Sequence, residues 1–250
     1  MDFIINLFKK IYLKFAFIIN PSSRYKRVGF SQNGEDAILP IYLHCRKKGL
    51  YIDIGCSHPF AYSNTYYFYK RGWKGICIDA SNQFANKYKK YRPNDLFINS
   101  GVGANEEIVN FNYFEQSTMN SFKNIGDKKV IKTIPTQIKT LESILNEYIN
   151  PGDEITLLNI DVEGLDFHVL KGNNWTKYRP DYLIIEKNNV HGINSVLNTD
   201  ICKYLKTKKY WPISLSYCSI IFESYEAINR RPVDHNIELV KNSFKEYLPI

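Results

Sequence analysis

Four short runs constrain the fold of this chain more than any other feature: LYIDIG (50–55), GICIDA (75–80), EITLLNID (154–161) and YLIIE (182–186). Each is nearly continuous in apolar residues, where a strand with one wet face would alternate. Strands of this kind are buried on both faces, which calls for a mainly parallel sheet with helices packed on either side. The segments between them read as those helices. SNTYYFYKRGW (63–73) stops at Gly72, NQFANKYKKYR (82–92) stops at Pro93, and GLDFHVLKG lies between the last two strands. Thr140 is placed to N-cap LESILNEY, whose Leu141, Ile144, Leu145 and Tyr148 form one apolar stripe. DLFINS (95–100) and EEIVNFNYF (106–114) are further strands, the second with period-two alternation. After a helix around 195–207, YWPISL and SIIFES succeed one another without an intervening helix, so an antiparallel hairpin is expected at one edge of the sheet.

No internal repeat or long linker divides the 250 residues, so 29–250 is expected to form a single domain behind an N-terminal helical extension at 1–28. That extension begins MDFIINLFKKIYLKFAFIIN, with apolar residues at helical spacing and Lys9, Lys10 and Lys14 on the other face. The lysines interrupt it too often for a membrane span, and Asp2 with no small-residue cleavage site argues against a signal peptide. Two readings stay open: packing on the domain or on a second copy of the chain, or peripheral contact with the inner face of a membrane. The net charge of +8 favours an anionic partner, but six of the 33 basic residues fall in the first thirty. The rest is only mildly basic, which disfavours nucleic acid. Five scattered cysteines, odd in number and without a C-x-x-C pair, indicate neither a disulfide framework nor a zinc site and fit a reducing cytoplasm.

In parallel sheets ligands sit beyond the carboxyl ends of the strands. The first strand ends in YIDIGCSHP (51–59), and Asp79 ends the second, 24 positions after Gly55. A carboxylate at that distance suits the ribose hydroxyls of either NAD or S-adenosylmethionine. The loop discriminates between them. A dinucleotide site needs G-x-G-x-x-G so that backbone can approach a pyrophosphate, yet Ser57 and Phe60 stand where the second and third glycines belong. S-adenosylmethionine carries no phosphate and tolerates a bulkier loop. An NAD-dependent sugar oxidoreductase is therefore the disfavoured alternative, and a non-enzymatic, membrane-associated subunit built around the N-terminal helix is the third.

Four ordered segments, FSQNGEDAIL (30–39), YIDIGCSHP, SNTYYFYKRGWKGICIDA (63–80) and LLNIDVEGLDFHVLKG (157–172), resemble the FkbM family of S-adenosylmethionine-dependent methyltransferases over roughly residues 30–190. The resemblance implies a class I methyltransferase, Rossmann-like α/β fold. It also implies O-methylation of a sugar hydroxyl in a nucleotide-activated sugar or a surface-glycan precursor, as in bacterial capsule or polysaccharide biosynthesis, with S-adenosylhomocysteine as product. By position it places Gly55, Cys56 and Ser57 at the methionine part of the cofactor, Asp79 and Ala80 at the ribose, and Ser100 and Gly101 near the adenine. Gln32, Glu35 and Asp36 fall close to the pocket. Asn64 either contacts the cofactor carboxylate or caps the helix starting near Ser63. Pro59 departs from the family pattern, in which many members carry glycine.

A sugar hydroxyl is a poor nucleophile at neutral pH and needs a general base or a metal ion. Asp161 and Glu163 in NIDVEG, with His191 further on, are the candidate bases. Asp161 and Glu186 are the candidate oxygen ligands for Mg²⁺ or Mn²⁺. Glu163 has a second reading as a cap on the following helix. His168 reads as structural, and His58 either shapes the loop or meets substrate. Lys187 or Arg179 would face the phosphates of a nucleotide-sugar, and the loop 115–135 with the C-terminal tail would select the acceptor.

Overall fold

The computed structural model describes residues 29–43, 46–116, 120–123, 126–188, 190 and 192–230. The expected helix over 1–28, His191 and the C-terminal tail lie outside the described residues. In chain order the elements begin with α1 (Glu35–Tyr42), β1 (Leu50–Ile54), α2 (Tyr66–Tyr69), β2 (Lys74–Asp79), α3 (Ala85–Tyr91) and β3 (Leu96–Asn99). A second group comprises β4 (Gly101–Gly103), β5 (Glu107–Phe114), β6 (Val130–Thr140), α4 (Leu141–Tyr148), β7 (Ile155–Ile160) and α5 (Asp166–Lys171). The last are β8 (Tyr182–Glu186), α6 (Ile193–Asn198), α7 (Asp200–Thr207), β9 (Tyr210–Leu215), β10 (Ser219–Ser224) and α8 (Tyr225–Arg230).

Seven strands form one sheet in the order β3-β2-β1-β7-β8-β10-β9. The first five are mutually parallel, and β10 runs antiparallel to both β8 and β9. The edge hairpin expected from the helix-free stretch is present. The order reverses between β1 and β7, so the crevice opens where their carboxyl ends part. Continuous apolar runs form these strands because each strand feeds two cores. Ile52, Ile54, Ile76, Ile78, Leu158 and Ile160 pack on one face with Leu141, Ile144, Val169 and Leu170 from α4 and α5. Tyr51, Cys77 and Leu157 pack on the other with Leu39, Phe68 and Tyr88 from α1, α2 and α3.

Four expectations change. The 106–114 strand is real, but it belongs to a separate three-stranded sheet, β4-β6-β5, which rises beside the carboxyl ends of the main sheet. Its partner β6 occupies the last six residues of what reads as a loop over 115–135 and runs on to Thr140. Polar Lys132, Thr133, Thr136 and Gln137 hide that strand, and Pro135 argues against one. The proline is tolerated because β4 pairs only with Ile138, Lys139 and Thr140, so at Pro135 only β5 lies alongside. The helix expected over 63–73 has a regular core of only Tyr66–Tyr69, after which Gly72 reverses the chain at φ +84°. The helix around 195–207 is two helices, because Thr199 leaves helical geometry and caps the second by accepting from the Cys202 N–H at 3.1 Å. Thr140 caps α4 as expected, accepting from the Ser143 N–H at 3.1 Å. No helix among the described residues is long and apolar enough to cross a membrane.

Candidate active site

Beyond the end of β1 the backbone turns at Gly55, φ +77°, and again at Ser57, φ +42°. The turn is tied to β2 at both ends. Gly55 and Cys56 donate their N–H groups to the Ile78 carbonyl at 2.9 and 3.2 Å, and the Ser57 N–H meets Asp79 Oδ2 at 2.8 Å. Asp79 Oδ1 accepts from the Ser81 N–H at 2.8 Å, which leaves each carboxylate oxygen one lone pair for a ligand. Burial, only partly offset by these N–H donors, pushes the Asp79 carboxyl up to about 6.

The loop opens into a cavity of about 340 Å³, within the range of small-molecule sites. Gly55, Cys56 and Ser57 line it on the β1 side, Asp79 and Ala80 on the β2 side, and Ser100 and Gly101 where β3 passes into β4. Gln32 and Asn64 also reach it. Two residues expected nearby do not. Glu35 is buried, with its carboxylate accepting the Asn33 N–H at 3.0 Å, and Asp36 holds Ser31 Oγ at 2.7 Å. These carboxylates hold the turn that delivers Gln32.

His58 lines the cavity and also shapes the loop. Its Nδ1 accepts the Ala61 N–H at 3.2 Å, and its ring packs edge-on against Phe60 and Phe84. Burial and the neighbouring Lys87 lower its pKa, so it is neutral at pH 7. Cys56 is buried and its thiol is pushed well above the ordinary range, which leaves it unreactive.

Three further groups complete the cavity. Asp53, inside β1, accepts from Asn159 Nδ2 at 2.8 Å, and Asn159 Oδ1 accepts from Asn64 Nδ2 at 2.9 Å. All three line the cavity. The signal was present in the polar residues Asp53 and Asn159 inside strands otherwise buried in apolar contacts. The third is the segment Asn120–Lys123, brought over the site by the bridge between Ser121 and Asn112 of β5. Phe122 faces Gly101 so closely that a Cβ there would lie 2.7 Å from the ring, and Lys123 Nζ donates to the Gly164 carbonyl at 3.0 Å.

The carboxylates gather at the end of β7. Asp161 and Glu163 line the cavity, and oxygens of Asp161, Glu163 and Glu186 all lie within 4.8 Å of one another. Burial raises the Asp161 carboxyl, and Glu186 raises it further by repulsion and a shared hydrogen bond. Glu163 is pushed up to about 7 by burial and by the charges of Glu186 and Asp166. It takes φ +53° just before Gly164 at +83°, so the turn swings its side chain out toward the cavity mouth. No side chain caps α5; Asp166 in its first turn instead accepts the Val162 and Gly164 N–H groups at 3.3 and 3.1 Å and ties down the turn that carries Glu163.

Across this turn lies a second cavity of about 440 Å³, lined by Glu186, Lys187, Asn188 and Phe167 among others. Arg179, a candidate phosphate contact, is elsewhere. It stands before β8 and makes a two-pronged ion pair with Glu226 at 2.9 Å, so it belongs to the opposite end of the sheet. His168 is exposed on α5, away from both cavities.

The family model described as the methyltransferase FkbM domain matches residues 53–211. No curated protein matches the chain. Among solved structures, a TehB-like SAM-dependent methyltransferase from Corynebacterium glutamicum is 10% identical, with a TM-score of 0.40 over 84% of this chain and 96% of that one. A provisionally assigned type 11 methyltransferase from Sulfolobus solfataricus is 12% identical, with a TM-score of 0.38 over 78% and 94%. Neither likeness is close enough to speak to substrate.

Proposed function

The chain belongs to the FkbM methyltransferase family, a group of S-adenosylmethionine-dependent enzymes of the class I fold; from that premise we propose that it methylates a hydroxyl of a sugar, carried on a nucleotide or a glycan precursor. The observation that supports this reading is the carboxylate cluster at the mouth of the cavity, facing a second, polar cavity across the Glu163–Gly164 turn. A hydroxyl, the least acidic of the common acceptors, is the one that gains most from a base beside it.

The residues around the first cavity fit the cofactor. Asp79 has free lone pairs for two ribose hydroxyls, and Ser100, Gly101 and Phe122 line the same cavity, where an adenine would lie. Serine and histidine after Gly55 leave no cradle for a pyrophosphate. When bound, S-adenosylmethionine supplies a methyl group made electrophilic by a sulfonium.

The protein aligns the acceptor oxygen and removes its proton. Glu163, poised near 7, takes that proton as the oxygen–carbon bond forms and the sulfur–carbon bond breaks. Asp161, which lines the same cavity, hydrogen-bonds the acceptor and fixes its approach. The same oxygens are hard donors suited to Mg²⁺ or Mn²⁺, and this second reading rests on their 4.8 Å grouping. EDTA followed by metal readdition separates the two, since only metal-dependent transfer falls and recovers.

Mass spectrometry of nucleotide-sugars incubated with protein and cofactor tests the substrate class. Gain of one methyl group by a sugar supports it. Methylation of amine or thiol acceptors alone would overturn it.

A further inference from the structure

Arg92, just past α3, has no solvent-exposed surface. A guanidinium without water must place its N–H groups on protein acceptors, so the identity of those acceptors shows what it holds in place. Nε donates to Asp95 at 2.6 Å, and Nη2 to the Tyr51 hydroxyl at 3.0 Å. Nη2 also reaches Cys77 Sγ at 3.3 Å, and the other bonds go to one segment. Nη1 donates to the Pro59 carbonyl at 3.0 Å and to Ser63 Oγ at 3.3 Å, and Nη2 donates to Thr65 Oγ1 at 2.9 Å. Residues 61–64 of that segment form one wall of the cofactor cavity.

Thr65 carries the connection further. Its hydroxyl accepts from Arg92 and gives its own proton to Asp53 Oδ2. Asp53 is also held by Asn159, which holds Asn64, so a buried chain of hydrogen bonds runs from Arg92 to three polar side chains facing the cavity. Burial pushes the Asp53 carboxyl up, and Arg92 is the foremost group pulling it down.

We propose that Arg92 is a positioning residue for cofactor binding: its guanidinium fixes the Pro59–Thr65 wall and, through Thr65, aims the Asp53 carboxylate into the cavity. A role confined to the ion pair with Asp95 would account for Nε alone, and buried ion pairs by themselves are weak stabilisers. Lysine could not substitute, since one ammonium with three donors lacks the planar fork that reaches carbonyl and hydroxyls together.

The test compares binding of S-adenosylhomocysteine, measured by calorimetry, across four variants whose melting temperatures are recorded alongside. Thr65→Val keeps the shape of the side chain and cuts the chain of hydrogen bonds. Thr65→Ser keeps the hydroxyl. Tyr210→Phe removes a comparable buried hydrogen bond, to the Pro180 carbonyl, at the far end of the sheet and serves as the control for general loosening. Arg92→Lys removes the fork itself.

Arg92→Lys and Thr65→Val are expected to raise Kd at least about threefold, with Thr65→Ser and Tyr210→Phe near wild type. A smaller rise in Thr65→Val overturns the proposal, as does an equal rise in Thr65→Ser or Tyr210→Phe. Should Arg92→Lys fail to fold, the threonine pair decides.

Discussion

The carbonyl oxygen of Asp161 stands where a side chain on Gly55 would begin: a Cβ at Gly55 would lie 1.7 Å from it. The Asp161 N–H meanwhile donates to the Ile54 carbonyl at 2.9 Å, so β1 and β7 stay paired up to the point where they part. The loop lining the cofactor cavity and the turn bearing the carboxylates are thus locked backbone to backbone.

Gly55→Ala should therefore disable the site and weaken the fold together. The positive φ alone costs about 1–3 kcal/mol for alanine, and the clash with backbone adds to it. We expect no measurable binding of S-adenosylhomocysteine and a urea midpoint lowered by the equivalent of about 3 kcal/mol or more. Unchanged binding would show that the loop can move away from Asp161.

The carboxylate cluster gives a pH dependence with a definite sign. Glu163 titrates near 7 in the folded protein against an ordinary 4.5, so the folded state retains a proton that the unfolded chain has released. Its contribution is intact below about pH 4.5 and is lost as pH rises toward about 7. Glu163→Gln, which cannot ionise, should therefore gain melting temperature relative to wild type as pH is raised from about 5 to 7.5. A difference that shrinks over that range would contradict the raised pKa.

Turnover should track the same titration in the other direction, because the base works only when deprotonated. In wild type kcat should rise with pH through about 7. Glu163→Gln should lower kcat by about 100-fold or more and leave S-adenosylhomocysteine affinity within about twofold. Asp161→Asn should also lower kcat without touching cofactor affinity. Normal turnover in both would remove the carboxylates from the mechanism.

Most of the main sheet was legible because its strands are buried on both faces and must be apolar throughout, as LYIDI and ITLLNI are. Of the small sheet only β5 was legible. Its strands are half exposed, so β6 carries lysines, threonines and a proline that composition alone reads as loop. The cavity lining at Gly55, Asp79 and Asp161 was legible from the rule that ligands gather at strand ends. Asn159 and Arg92 escaped notice because their importance comes from hydrogen bonds between residues as far as 106 positions apart, which no local pattern encodes.

Thr140 offers a test of local structure independent of the site. Its hydroxyl satisfies the Ser143 N–H at the start of α4, where the chain leaves the pairing of Thr140 with Gly103 of β4. Thr140→Ala should cost about 1 kcal/mol and lower the melting temperature by about 2–4 °C, with unaltered cofactor binding.

The most direct measurement is a calorimetric titration of S-adenosylhomocysteine into wild type and into Asp79→Ala, both shown to be folded. Single-site binding by wild type, weakened at least about tenfold in the variant, is the predicted result. No heat from folded wild type, or equal affinity in the two proteins, would contradict the assignment of this cavity to the cofactor.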